Sequence, residues 1–159
     1  IIENSGKSPV LWQKNEINKK AFGIRISVVE LFSDITQAKN ELVNQAAATT
    51  RAFEYKKIHD LIDIQVKTIY DYSEKYPARE DISDLFVGRM EQNRCENYSS
   101  VANLISEINR LSSSPYSDFK FDLYLMDFTA YSQAQSFEIK LILSNGDELT
   151  NRTNDIIFY

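Results

Sequence analysis

His59 is the only histidine in the 159-residue chain, so any Ser-His-Asp or Cys-His arrangement has to use it. No Gly-x-Ser-x-Gly elbow accompanies it. His59 and Asp63 stand four residues apart, the spacing at which two ligands on one helix face share a metal; a solvated pair is the reading preferred here. Cys95 lies between Arg94, whose cation favours the thiolate, and Glu96, which opposes it. As the single cysteine it can form no internal disulfide, and an inert thiol is expected. Asp118, Asp122, Asp127, Asp147 and Asp155 could do acid–base work or bind calcium. No D-x-D-x-D-G loop is present, however, and Asp122 alternates with apolar residues, so it is expected to point to solvent. Four scattered glycines cannot build a phosphate-cradling loop. Tyr70, Tyr72 and Tyr76 are expected at a core edge or contact surface. No catalytic, cofactor-binding or metal-ligating residue is assigned, no cofactor is expected, and the chain reads as a non-enzyme.

The elements that must position these residues are predicted to be long. Gly (4) and Pro (3) are scarce, and between Pro9 and Pro77 the one glycine is Gly23. Within that stretch Ile17, Ala21, Ile24, Val28, Leu31, Ile35, Ala38 and Leu42 repeat at 4-3-4-3-4-3-4, which is a heptad. The spacing predicts a helical region over 13–76, either one coiled coil or a helical hairpin bending near 45–52. The competing signal is the β-branched run 22–32, where Ile24, Ile26 and Val28 alternate with Arg25 and Ser27; helix is preferred because the heptad passes through it.

After Pro77 two short helices are expected. Asp81 caps one carrying Ile82, Leu85, Phe86 and Met90, and Ser99 or Ser100 caps one over 99–112 with Val101, Leu104, Ile105, Ile108 and Leu111. The period then changes to two. Residues 119–126 and 137–143 alternate as half-buried strands, Asn145-Gly146 marks a type I′ hairpin, a return strand begins near Glu148, and Ile156 to Tyr159 ends the chain as a strand. The expected class is α+β: a tail at 1–12, the helical region at 13–76, and a small α+β domain at 77–159 ending in a three- or four-stranded antiparallel meander.

Charge narrows the partners. The formal net charge is −5, and residues 116–159 hold 3 Lys/Arg against 7 Asp/Glu. A phosphate backbone would be repelled by that part, and no basic stripe with interleaved aromatics occurs elsewhere, so nucleic-acid binding is not expected. No apolar run approaches the ~20 residues of a membrane span. The sequence opens on Ile1-Ile2 and is read as a fragment or processed product, so an extracytoplasmic domain tethered through a missing segment is slightly favoured over a cytoplasmic one. Two glycosylation triplets, at Asn97 and Asn151, are of a kind common by chance.

The functional expectation is a non-enzymatic interaction or assembly module, for example a subunit of a secretion, pilus or other macromolecular assembly. Its partner interface would be the heptad seam of Ile17, Ile24, Val28, Leu31, Ile35 and Leu42, holding a homodimer or another protein. The alternative is a ligand-sensing domain of a membrane receptor. A cavity with convergent polar groups favours sensing, and an exposed apolar seam favours assembly.

Overall fold

The computed structural model describes residues 1–4, 10–29, 32–34, 55–57, 59–90, 98–110 and 118–159. These residues form strands in the order β1 (Ile2–Glu3), β2 (Val10–Leu11), β3 (Glu16–Ile17), β4 (Phe22–Val29), β5 (Phe32–Asp34), β6 (Tyr55–Lys57), β7 (Leu61–Thr68), β8 (Phe86–Met90), β9 (Ser99–Ser100), β10 (Asp118–Leu125), β11 (Ala134–Gln135), β12 (Phe137–Leu143), β13 (Glu148–Arg152) and β14 (Ile156–Phe158). Among the described residues there is one α-helix, α1 (Val101–Arg110), with 3-10 turns at Lys19–Ala21 and Ser83–Leu85.

Two antiparallel sheets carry the core, one ordered β2-β1-β4-β10-β8-β9 and one ordered β13-β12-β7. They join through an aromatic cluster: the Phe137 ring of β12 lies 5.3 Å from Phe22 of β4, 6.2 Å from Phe86 of β8 and 6.3 Å from Phe158 of β14, centroid to centroid. Such tilted and edge-on pairs add to the burial of large apolar surfaces. A small third sheet, β11-β14-β3, includes the parallel pair β14–β3. A two-stranded ribbon of β5 and β6 stands between β4 and β7 in the chain.

Helix α1 buries Leu104 and Ile108 and packs on β7 and β8. Gly88 of β8 permits the close approach, since a Cβ there would stand 2.3 Å from Leu104 Cδ2. Asn109 then clamps the start of β7: its Oδ1 accepts the Leu61 N–H at 2.9 Å and its Nδ2 donates to Leu61 O at 2.7 Å. The helix thereby satisfies backbone groups that an edge strand leaves open.

The sequence-based expectation of an α+β fold with a long N-terminal helical region is corrected: the described part of 13–76 is strand and turn. Ile17 lies in β3, Ala21 in a 3-10 turn and Ile24 in β4, all buried. Their 4-3 spacing comes from a tight turn between two strands, and no helical period underlies it. The β-branched alternation of 22–32, the rejected signal, is the one that folds, as β4. The helix expected after Asp81 is a single 3-10 turn followed by β8, in which Phe86, Gly88 and Met90 share the buried face. Asp81 accepts the Ser83 N–H and Oγ–H instead. The meander is corrected as well, because β10 pairs with β4 and β8, β12 with β7 and β13, and β14 with β11 and β3.

The helix expected over 99–112 is α1, with Ser100 Oγ accepting the Asn103 N–H at 3.3 Å. The β12–β13 hairpin is present, with different turn chemistry. Gly146 has φ +90°, and Arg79 is the one non-glycine with positive φ among the described residues. Gly146 N–H donates to Leu143 O and Leu143 N–H to Asp147 O, both at 2.9 Å. This is a three-residue loop closed by a left-handed glycine, and a type I′ pair would need positive φ at Asn145 as well.

Candidate functional site

Among the described residues the inter-sheet layer is open on one side. At that side β13 is the last strand of its sheet. Strand β1 pairs with β4 only at Phe22 and Gly23, and past that point β4 is flanked among the described residues by β10 alone, on its other edge. A cleft of about 340 Å³ lies between the two strands, lined by residues 24–27 of β4, Ile139 and Leu141 of β12, residues 149–153, and Ile1. Its apolar floor is Ile24, Ile139 and Leu141, 4%, 7% and 5% exposed. Its polar rim holds Ser27, Thr150, Asn151, Arg152 and Thr153.

Register explains why the cleft is open. Leu149 pairs with Leu141 and Asn151 with Ile139, so Leu149 and Asn151 share the inward face of their sheet with two core residues. Both remain exposed, Leu149 at 44%. Inward positions of a sandwich are normally covered by the opposing sheet, and here nothing described covers them.

The backbone of β13 alternates too. Thr153 N–H donates to Phe137 O and Leu143 N–H to Asp147 O, which fixes Leu149 and Asn151 as the residues bonded to β12. Glu148, Thr150 and Arg152 therefore turn their N–H and C=O groups outward. The Arg152 N–H is held locally by Asn151 Oδ1 at 2.8 Å. Their side chains lie on the outer face, where Lys140 donates to Glu148 at 2.8 Å and Arg152 to Asp155 at 3.1 Å.

A second polar constellation occupies the opposite face of the large sheet. Arg25, Asp122 and Arg89 are rungs of one register across β4, β10 and β8. Arg25 donates to both carboxylate oxygens of Asp122, from Nε at 2.7 Å and from an Nη at 2.9 Å. Tyr124 donates to Asp122 at 2.9 Å, and an Arg89 Nη donates to the Tyr124 hydroxyl at 3.2 Å. The Arg89 guanidinium also stands 5.3 Å and 5.6 Å from the Tyr98 and Tyr124 ring centres, within cation–π range. Burial, then the Asp122 charge and its hydrogen bond, raise the Tyr124 phenol well above its ordinary value. The bidentate contact of the buried carboxylate fixes β4 against β10, and the Tyr124 hydroxyl carries the network on to Arg89 of β8.

The residues singled out in the sequence scatter through the fold. Ile17 and Ile24 are in the core, at 0% and 4% exposure; Val28 is a β4 backbone position opposite Phe119; Leu31, Ile35 and Leu42 lie outside the described residues, as does Cys95. His59 precedes β7 and Asp63 lies on it, so no helix face joins them; Asp63 Oδ1 instead accepts the Ile64 N–H. No group of three potential metal ligands occurs among the described residues, and no described helix is long and apolar enough to cross a membrane. Asp122 was expected in solvent and is 1% exposed. Asp127 accepts from Thr129, its carbonyl accepts the Tyr72 hydroxyl at 2.6 Å, and Asp155 accepts from Tyr70 at 3.2 Å. Asp147 accepts from Asn145 within the turn. Tyr72 and Tyr76 are core residues and Tyr70 is exposed.

Sequence reasoning missed the cleft because it depends on β4 and β13, strands of different sheets more than a hundred residues apart in the chain, lining one space. The one local signal was the polar stretch Thr150-Asn151-Arg152-Thr153 following an apolar strand. Scans against models of known protein families, curated proteins and solved structures find no match to this chain.

Proposed function

We propose that the chain is a non-catalytic binding module that takes a protein partner as an extended strand along the open side of its sandwich. The observation that carries this reading is the outward row of β13 backbone groups beside a cleft whose inward residues Leu149 and Asn151 are uncovered. An added strand would gain main-chain hydrogen bonds from Thr150 and its outward neighbours and side-chain contacts from the cleft, the usual division between affinity and specificity in strand addition. Two of the described ion pairs, Arg25–Asp122 and Lys140–Glu148, join neighbouring strands, a structural use of charge in keeping with this reading.

The test is selection from a displayed library of random linear peptides, followed by amide-shift mapping on the chain. Bound peptides are expected to shift residues 24–27 and 148–153, and to be lost with Thr150→Pro. That substitution removes an outward N–H, which an edge strand tolerates without unfolding. Peptides that persist on the Thr150→Pro protein, or that map to another surface, would overturn the reading. A second reading, a small-ligand sensing domain, draws on the cleft volume of about 340 Å³ and its hydroxyl and amide rim.

A further inference from the structure

We infer that the partner on β13 is a second copy of this chain, the two β13 strands pairing antiparallel about a two-fold axis at Thr150; this rests on the open-side reading above. The strand runs Glu148-Leu149-Thr150-Asn151-Arg152. Turned antiparallel on itself about Thr150, it sets Glu148 opposite Arg152 of the second copy, and Arg152 opposite Glu148 of the second copy. The interface is isologous, as a two-fold contact must be.

The backbone selects the same register. Outward groups at 148, 150 and 152 meet outward groups at 152, 150 and 148, and Thr150 exchanges N–H and C=O bonds with its own counterpart. The Asn151 side chain has only to release the Arg152 N–H it now holds. Of the two-fold registers open to this strand, centring on Glu148 or Arg152 opposes like charges. Centring on Leu149 or Asn151 sets a charge against Thr150. Only the axis at Thr150 opposes unlike charges, and it does so twice. Cross-strand pairs of opposite sign stabilise a sheet and like pairs destabilise it.

The match continues into each sheet. Arg152 pairs with Glu138, and Glu138 with Lys67, so the rung through Glu148 of one copy reads negative, positive, negative, positive as it enters the other. Glu148 and Arg152 side chains are about half exposed, at 52% and 49%; to pair across the axis they exchange their present partners, Lys140 for Glu148, and Ser136 Oγ and Asp155 for Arg152. Two paired five-residue strands bury less than the ~1,200 Å² of a standard interface, so the association is weak and concentration-dependent. The net charge of −5 on each copy opposes it at long range, which favours measurement near ~0.15 M salt.

The test is sedimentation equilibrium of the whole chain up to about 1 mM, a concentration that reveals a Kd in that range. The wild-type mass is expected to rise from 18.4 kDa toward twice that value. Glu148→Arg and Arg152→Glu each place like charges across the axis and are expected to stay monomeric at the same concentration, with unchanged circular dichroism. Mixing these two variants restores opposite pairs at both ends, and a heterodimer is expected. A wild-type mass that never rises, or a dimer that both single variants leave intact, overturns the self-pairing. In either case peptide capture abolished by Thr150→Pro would leave the open-side reading standing, and loss of that capture would remove both.

Discussion

Arg25 and Asp122 face each other in register across β4 and β10, and the guanidinium holds both carboxylate oxygens, at 2.7 and 2.9 Å. The carboxylate is 1% exposed and the arginine side chain 21%, so removing the arginine leaves a desolvated carboxylate. Arg25→Ala, which strands the buried Asp122 carboxylate, is expected to destabilise the fold by about 3–5 kcal/mol. The exposed pair Lys140–Glu148 is the contrast: solvent screens it, and Lys140→Ala should cost far less. Urea unfolding of both variants checks the ordering, and equal costs would mean that Asp122 is not an enclosed partner.

Gly88 and Gly146 are required for different reasons. A Cβ at Gly88 would meet Leu104 Cδ2 at 2.3 Å, whereas one at Gly146 meets nothing within 4 Å but sits on a backbone at φ +90°. Gly88→Ala is expected to cost about 1–3 kcal/mol through overpacking under α1, and trimming Leu104 in the same protein should return part of it. Gly146→Ala is expected to cost about 1 kcal/mol through backbone strain alone, with no neighbour able to relieve it. Double-mutant cycles on unfolding free energies separate the two.

Alkaline pH should weaken the fold through two buried phenols. Burial, then the Asp127 charge, raises Tyr72, and burial, then Asp122, raises Tyr124. An unfolded tyrosine titrates near about 10. Below that pH both states hold the proton and stability is full. Above it the unfolded chain loses protons that the folded chain retains, so stability falls by up to about 1.4 kcal/mol per pH unit for each phenol. Tyr72→Phe is expected to reduce that slope, measured by urea unfolding between about pH 9 and pH 11.

What the sequence made legible was local. Phe137 to Leu143 alternates cleanly because one face of β12 packs in the core, and α1 shows its stripe because Leu104 and Ile108 meet β7 and β8. The heptad misled because Ile17, Ala21 and Ile24 are buried by a strand, a turn and a strand whose lengths happen to mimic helical spacing. Phe86 and Met90 looked helical until Gly88, between them on the buried face, is seen as the seat of Leu104. Asp122 was misplaced for a further reason: alternation identifies two faces, but it cannot tell that Arg25 and Arg89 lie on neighbouring strands and enclose the second one. The cleft is a property of strand order alone.

Amide hydrogen exchange along β13, with the site loaded by a selected peptide or by a second copy near about 1 mM, tests strand addition most directly. Leu149 and Asn151, bonded to β12, are expected to exchange slowly in every state. The outward Thr150 amide should exchange freely in the dilute, unloaded chain and become protected when the edge is occupied. A Thr150 amide that stays at the free rate under load, while Leu149 and Asn151 remain protected, would contradict binding through this edge.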